Sequence, residues 1–391
     1  MKFNNFFFSA AVVAIALFSA CGDNITNDPL SFKSGEIWLG VGGKNGNIDR
    51  VVKYDYEAGT AGEVFNLSKS VEGSLQTIDD QFNEAIILAA SYGDSGNNNG
   101  GGGGSTDTTS NGGTSDSTSL RTTTPNSTAR MIFLNLADGS TTEVSKFPLN
   151  LYPENVYDME YLPLFHKTYV MTNHGHYDYM KLFSIDRNSL DTISGNSSLV
   201  WETGADSTGT AGDLDNILQN NSIFIGANIH EDKLLLGDTT NGSLYEYYTP
   251  TKKLDAITTS NGNISSGLKL QYSPTASLYV GVKVSATSSS DSNSVNGSDL
   301  KLNYVTLDRS TGAYNERSIL NMDKSSYAFD YESGDLSVNS VIDESAQKLI
   351  VVLPKTGNTT QIAVIDIANG GSITTKNYNS AVSGIAKVKN K

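Results

Sequence analysis

Cysteine occurs once in the 391 residues, at Cys21, so no disulfide can form within the chain. Histidine occurs only four times, which leaves few imidazoles for a transition-metal site. Lys and Arg number 27 against 42 Asp and Glu, and the formal net charge is -15. A chain this acidic has no cluster of cations with which to neutralise phosphates, which excludes nucleic acid as a partner. No Gly-x-Ser-x-Gly nucleophile motif and no zinc-protease helix is present, and the glycine run Gly100–Gly104 lacks the Lys and the helix of a phosphate-binding loop. Helix formers are scarce. Ser, Thr, Asn, Gly and Tyr are plentiful instead, and turn residues recur about every ten positions, the pattern of an all-β chain of short strands.

An apolar run, Phe6–Ala20, follows Lys2 in "MKFNNFFFSAAVVAIALFSAC" and is shorter than a membrane-spanning helix requires. With small residues directly before Cys21, residues 1–20 read as a secretory signal peptide. The tetrapeptide Phe18-Ser19-Ala20-Cys21 resembles the lipobox of bacterial lipoproteins. That resemblance implies that Cys21 becomes the lipidated first residue of the mature chain. Residues 21–34 are then a flexible polar tether, and the expected location is the bacterial cell envelope, on its periplasmic or cell-surface face. The body is expected to be held to the lipid bilayer through Cys21, with no spanning helix.

Past the tether the chain repeats itself. "VVKYDYEAGTAGEVFNL", "MIFLNLADGSTTEVSKF", "KLFSIDRNSLDTISG", "SLYEYYTPTKKLDAIT", "NYVTLDRSTGAYNERSI" and "IAVIDIANGGSITTKNY" each place an apolar strand, a turn and a polar strand in succession. Their anchors are Asp55, Asn135, Asp186, Tyr247, Asp308 and Asp366. Four of these have Gly four positions later, at Gly59, Gly139, Gly312 and Gly370, where an Asx side chain starts a turn and Gly accepts positive φ. Each hairpin follows another apolar run, such as "GEIWLGVGG" or "QKLIVVLPK", and most have a further strand upstream. The unit is four antiparallel strands, a to d, which is a propeller blade.

The low-complexity run "NNNGGGGGSTDTTSNGGTSDS", Asn97–Ser117, lies in the one interval between anchors that is too long for a blade, Asp55 to Asn135. It falls between strands b and c of the second unit, so residues 93–129 are expected to be a disordered loop within one domain rather than a linker between two. The first unit has no strand a before Gly35, whereas the chain finishes with a spare strand in "SAVSGIAKVKNK". Residues 35–391 are therefore expected to form a single β-propeller of six four-stranded blades, with seven as the alternative. Pairing of the N- and C-terminal strands closes it. The pattern resembles bacterial propellers of the quinoprotein-like and YncE-like kind in its "IxVIDxxxG" hairpin, seen at Ile362–Gly370, a resemblance that implies fold and little about activity.

The b–c and d–a connections of such blades share one face. The longest expected insertions fall there, at Gly93–Ala129, Ser285–Asp299, Gly204–Asn221 and Asn321–Gly334, which makes it the expected binding face. "TNHGHYDYM" at Thr172–Met180 concentrates functional groups: His174 and His176 share one side of an extended strand, followed by Tyr177 and Tyr179. Two imidazoles without a third ligand suit a polar hairpin loop better than zinc or iron. Tyr152, Tyr157, Tyr327 and Tyr331 are candidates to stack on a sugar or an extended peptide, with Asp330 to accept its hydrogen bonds. Aromatic rings also pack between blades, and that reading holds for most of the tyrosines. No cofactor is required. Asp206, Asp213 and Asp215 offer hard oxygens that suit calcium, in a segment that does not match an EF-hand loop. The function expected is that of a monomeric binding module for a glycan or an envelope or extracellular protein. The alternative is a propeller enzyme, a hydrolase, lyase or lactonase-like activity with its site in the central funnel.

Overall fold

Runs such as LLLGD at Leu234–Asp238 and KLIVVLPK at Lys348–Lys355 are apolar at successive positions, which suits a strand covered on both faces. In a computed structural model of the chain both are strands buried along most of their length, with a paired strand on either side. The structure describes residues 34–42, 47–79, 82–91, 128–144, 155–162, 165, 167–173, 180–186, 199–201, 214, 223–227, 233–238, 242–257, 264, 268–286, 299–329 and 338–387. They belong to one unit, Ser34–Lys391.

The first array is built from β1 (Glu36–Gly42), β2 (Asn47–Asp55) and the opening of the long β3 (Thr60–Asp79). The far end of β3 pairs with β4 (Glu84–Ser91), and β5 (Thr128–Asn135) and β6 (Thr141–Val144) complete the second array. Four antiparallel meanders follow. They are β7 (Asn155–Leu162), β8 (Lys167–Asn173), β9 (Met180–Asp186) and β10 (Leu199–Trp201); then β11 (Ile223–Ala227), β12 (Leu234–Asp238), β13 (Ser243–Tyr248) and β14 (Lys253–Ile257). The fifth array is β15 (Lys269–Ser273), β16 (Leu278–Ala286), β17 (Asp299–Asp308) and β18 (Tyr314–Asp323), and the sixth is β19 (Asn339–Asp343), β20 (Lys348–Lys355), β21 (Thr359–Asp366) and β22 (Ser372–Tyr378). The last strand, β23 (Ala381–Ala386), returns to pair antiparallel with β1, from Trp38↔Ala386 to Gly42↔Ala381.

That pairing supplies the innermost strand the first array lacks, so the described strands form six four-stranded arrays. The innermost strands β23, β3, β7, β11, β15 and β19 touch in that cyclic order, and β19 returns to β23. The ring is closed, and the fold is a β-propeller. Its core is divided among the seams. One apolar cluster joins Leu162, Tyr169 and Leu182 of the third array to Leu234, Leu236 and Tyr247 of the fourth. Others join the fourth to the fifth, the fifth to the sixth, and the sixth to the first. The outermost strands β14, β18 and β22 are largely exposed and carry Lys, Glu, Arg and Thr, which suppresses pairing with another sheet edge.

All four Asx–Gly hairpins expected from the sequence are present. Asp55, Asn135, Asp308 and Asp366 each accept a backbone N–H through Oδ1, and Gly59, Gly139, Gly312 and Gly370 have φ between +62° and +79°. Strand c of every array ends at or one residue after its expected anchor. Three details differ. The outer strand of the third array is β10, Leu199–Trp201, which pairs with β9 from Leu199↔Ile185 to Trp201↔Phe183, rather than the earlier "DTISG". Strand a of the second array is no separate segment but the continuation of β3. The insertions are also narrower than expected: Ala129 lies in β5, Ser285 in β16, Asp299 in β17 and Asn321 in β18, where the ladders run on. β4 pairs directly with β5 up to Ser91↔Thr128. The low-complexity run thus interrupts one sheet.

Replacing residues 93–127 with a short turn is expected to leave the thermal unfolding midpoint of the body within a few degrees of the parent, because no described pairing is removed; loss of cooperative unfolding would refute this. Two glycines calibrate the ring. At Gly139, φ is +74° and an added Cβ meets nothing within 4 Å, so Gly139→Ala should cost only about 1 kcal/mol in urea unfolding. At Gly384, φ is +106° and the Cβ would lie 2.3 Å from the Leu75 carbonyl oxygen, where β23 touches β3. Gly384→Ala should cost several times more.

Candidate functional site

A four-stranded meander has two ends. The a–b and c–d turns leave from one, and the b–c and d–a connections from the other. At the first end the chain turns tightly, as at Asp343 to Lys348, Ser273 to Leu278 and Asp308 to Tyr314, with Asp186 to Leu199 the exception. At the second it travels far, as at Ser91 to Thr128, Ala286 to Asp299, Trp201 to Ile223 and Asp323 to Asn339. Backbone hydrogen bonds show that a d–a and a b–c connection share an edge: Ala328 N–H donates to Pro354 O at 3.0 Å, and Thr356 N–H donates to Ser326 O at 3.1 Å.

Between those two bonds lies Tyr327, one of the tyrosines singled out for stacking. The structure places it in the interior, 8% exposed, in the apolar cluster that joins the fifth and sixth arrays. Its hydroxyl donates to Gln361 Oε1 at 2.5 Å, Phe329 stacks on it at 6.2 Å, and the Lys355 ammonium lies 5.7 Å from the ring centroid. Burial raises its pKa. Tyr327 therefore acts as a packing residue that pins a d–a connection to the next array. Tyr157 lies in β7 at a register shift between Val156 and Asp158. Cys21, Tyr152, His174, His176, Tyr177, Tyr179, Asp330 and Tyr331 lie outside the described residues, as do Asp206, Asp213 and Asp215. The His-Tyr segment connects β8 to β9, which puts it among the b–c connections. Among the described residues no group of three His, Cys, Asp or Glu could hold a metal ion, and no helix is long and apolar enough to cross a membrane.

The tight-turn end holds polar side chains that bridge neighbouring arrays. Glu246 on β13 is 1% exposed and receives Arg309 through two hydrogen bonds of 2.8 Å, Nε to Oε1 and Nη2 to Oε2. The Tyr279 hydroxyl also donates to Oε1, and Lys233 Nζ to Oε2 at 3.1 Å. Burial alone would raise the Glu246 carboxyl, but the bonds from Arg309, Tyr279 and Lys233 outweigh it and hold the pKa at about 2. Asp343, fully buried at the end of β19, makes the equivalent bridge where the ring closes. Its Oδ2 accepts from Gly35 N–H at 3.0 Å and the Tyr56 hydroxyl at 2.7 Å, and lies 2.5 Å from Lys387 Nζ. Burial again opposes ionisation, and the donors from Gly35, Lys387, Ser345 and Tyr56 prevail, leaving a pKa of about 2. Two other seams use neutral or mixed partners: Glu344 Oε1 accepts from Thr275 N–H at 2.7 Å, and the Tyr169 hydroxyl donates to Thr249 Oγ1 at 2.8 Å.

A cleft of about 470 Å³ opens over the Glu246–Arg309 pair, lined also by Tyr272, Asp255, Ser310 and Thr311. Arg309 turns its two donors to Glu246, and Asp308 is occupied by Ser310 and Thr311 N–H, so the groups around the cleft satisfy one another. With Glu246 held ionised well below neutrality and Tyr279 pushed up by burial, the cluster locks two arrays together. Sequence reasoning missed these bridges. A buried Asp or Ser recurs at the end of strand a, in Asp79, Ser273 and Asp343, each with a residue of positive φ four positions later, Asn83, Ser277 and Gln347, but burial and φ are visible only in the structure.

No protein-family model and no curated protein matches the chain. Among solved structures it is similar to a nidogen/laminin complex, with 8% identity over 90% of this chain and 98% of that one and a TM-score of 0.48. A periplasmic gluconolactonase of Pseudomonas aeruginosa is 9% identical over 90% and 98%, with a TM-score of 0.42. A quinonprotein alcohol dehydrogenase-like protein of Bacteroides thetaiotaomicron is 12% identical over 90% and 66%, with a TM-score of 0.41. The propeller assignment rests on this chain's own strand pairings.

Both folded carboxyl pKa values lie below their ordinary 4.5 and 3.8, so the stability they contribute is present above those values and is lost as pH falls toward 2. The thermal midpoint should accordingly fall between pH 4.5 and 2. Glu246→Gln should lower stability at neutral pH by about 3 kcal/mol, because Arg309 and Lys233 lose their counter-charge, and should flatten the acid limb. An acid limb unchanged in the variant would show that Glu246 is not among the titrating groups.

Proposed function

We propose that the chain is an exported lipoprotein, held at the bacterial envelope by an acyl chain on Cys21, whose six-bladed propeller binds a glycan or a protein through its long-connection edge. The observation that supports this reading is the asymmetry of the ring. One end is made mostly of tight turns, with buried carboxylates joining two of the seams, while the other gathers connections of very different length on the same rigid frame. Rigid scaffolds carry recognition on such segments, because length and composition can vary there without cost to the strands beneath. Tyr, Asp and Asn recur in those connections, with His174 and His176 in one of them, and supply both stacking faces and hydrogen-bond partners.

The test is a thermal-shift screen of Ser34–Lys391, which forms one unit, against soluble envelope and extracellular glycans, with and without calcium. A ligand that binds only the folded state raises the midpoint, by an amount corresponding to about 2.7 kcal/mol at a hundredfold excess over Kd. The rise should disappear when residues 174–179 or 287–298 are replaced by short Gly-Ser links and persist when the Asp308–Gly312 turn is changed. Loss through the turn alone would move the site to the opposite edge. Turnover of a glycoside or lactone substrate in the same panel, abolished by substitutions in the central funnel, would instead support the enzyme reading.

A further inference from the structure

An Asn followed by Gly loses its side-chain amide more readily than other Asn residues, because a Gly nitrogen with no neighbouring side chain can reach the Asn amide carbon. The sequence contains seven such pairs, and Asn369–Gly370 is the one with both residues described. It lies exposed in the c–d turn of the sixth array, between β21 and β22. The reaction has two steps. Gly370 N gives up its proton and attacks Asn369 Cγ; the new C–N bond closes a succinimide ring, and the side-chain nitrogen leaves as ammonia. Water then opens the ring at one of its two carbonyls, which leaves aspartate or isoaspartate at position 369 and one more negative charge.

In the closed turn both reacting groups are engaged. Gly370 N–H donates to Ile367 O at 3.1 Å, a bond that must break before the nitrogen can attack. Asn369 Nδ2 donates to Asp366 Oδ2 at 2.8 Å and Asn369 N–H to Asp366 Oδ1 at 2.9 Å, so the amide is held toward the residue that opens the turn rather than toward Gly370. Lys348 Nζ, on β20, lies 2.5 Å from the same Oδ2 and fixes the carboxylate from the neighbouring strand. Lys348 and the Asn369 donors hold the Asp366 carboxyl at about 2, which makes it a poor base for the Gly370 proton. From this geometry we infer that Asn369 is a spontaneous modification site gated by its own turn: Asp366 keeps it intact while the turn is closed, and opening exposes it to conversion. The step runs one way. The product has lost the Nδ2 donor and sets a second carboxylate beside Asp366, and isoaspartate adds a carbon to the backbone just before Asp366↔Ser372, the first rung of the β21–β22 ladder. β22 carries Tyr378, whose ring meets Tyr54 edge-on at 5.3 Å in the cluster that joins the sixth array to the first. Conversion at 369 therefore loosens the outer hairpin of the array that lies against the closing seam.

The test incubates Ser34–Lys391 in mildly alkaline buffer, folded and in enough guanidinium chloride to unfold it, and follows position 369 by peptide mapping that separates Asn, Asp and isoaspartate. Conversion in the folded chain should be about tenfold or more slower than in the unfolded one, because only the fraction with an open turn reacts. Asp366→Ala should raise the folded rate several-fold. Equal rates in the two states, or a folded rate unmoved by Asp366→Ala, would overturn the inference. Gly370→Ala, whose added Cβ meets nothing nearer than Arg317 Nη2 at 3.9 Å, should leave 369 unmodified even in denaturant, and conversion that persists there would rule out the succinimide route. Should Asp366→Ala fail to unfold cooperatively, hydrogen exchange of the parent decides: the Gly370 amide must be protected, and exchange at the unfolded rate refutes the gate. Asn369→Asp, which installs one of the two products, should lower the thermal midpoint by a few degrees. An unchanged midpoint would refute the one-way step.

Discussion

The pairing of β23 with β1 is the contact on which the other seams depend. Each of the other arrays closes its hairpins locally, whereas the first array is four-stranded only when the end of the chain reaches its beginning. Without β23, β1 would present an open inner edge next to the sixth array, and the apolar cluster that contains Ile37, Leu39 and Val52 together with Ile350, Val352 and Ile385 would be split. Asp343 reinforces the closure from a third position in sequence, binding Gly35 near one end and Lys387 near the other. A fully buried carboxylate is tolerated there because each of its oxygens has donors, and removing any of them would expose the cost of its desolvation. The closing contact joins segments almost a whole chain length apart, so it is expected to form late in folding, after the hairpins it completes.

The seams follow one geometric plan with different chemistry. In the four seams from the third array round to the first, an apolar cluster fills the space between neighbouring sheets and a polar bridge sits near the tight-turn end. Glu246 and Arg309 make the bridge by charge, Asp343 and Lys387 by charge and backbone donors, Glu344 and Thr275 through one carboxylate oxygen, Tyr169 and Thr249 through hydroxyls. Because the wedge between two blades widens outward, apolar packing alone leaves the rotation of one sheet against the next weakly determined. A bridge fixed at one end removes that freedom. The cleft over Glu246 and Arg309 is the groove left beside such a bridge, and its polar groups are already engaged with one another.

The hairpins were legible in the sequence because they are local. An Asx residue and a Gly four positions later specify a turn whatever surrounds them, and the apolar runs before them, such as KLIVVLPK, can be covered on both faces only at the middle of a sheet. The spare final strand and the missing first one pointed to closure for the same reason. What the sequence concealed was nonlocal. β3 serves two arrays in one continuous segment, with no turn to mark the change, so strand a of the second array has no boundary of its own. β10 pairs with β9 at Leu199–Trp201, thirteen residues past Asp186, a distance that the tight turns of the other hairpins do not suggest. The bridges were hidden because an Asp before a turn looks the same whether it caps that turn or, like Asp343, also holds a neighbouring sheet.

Tyrosine shows most clearly why the site was harder to read than the fold. The chain has 19 of them, and abundance beside acids suggests a surface for sugars or peptides. Four of those described use both ends of the side chain internally: Tyr56 reaches Asp343, Tyr169 reaches Thr249, Tyr279 reaches Glu246 and Tyr327 reaches Gln361, each with its ring buried. A ring long enough to fill the gap between two blades and a hydroxyl that ends on a polar bridge is what a seam requires, and Phe would leave the bridge short of a donor. Tyrosine content is therefore in large part a property of the ring. Residue type alone does not separate a tyrosine that fills a seam from one that stands on a connection the seams do not need.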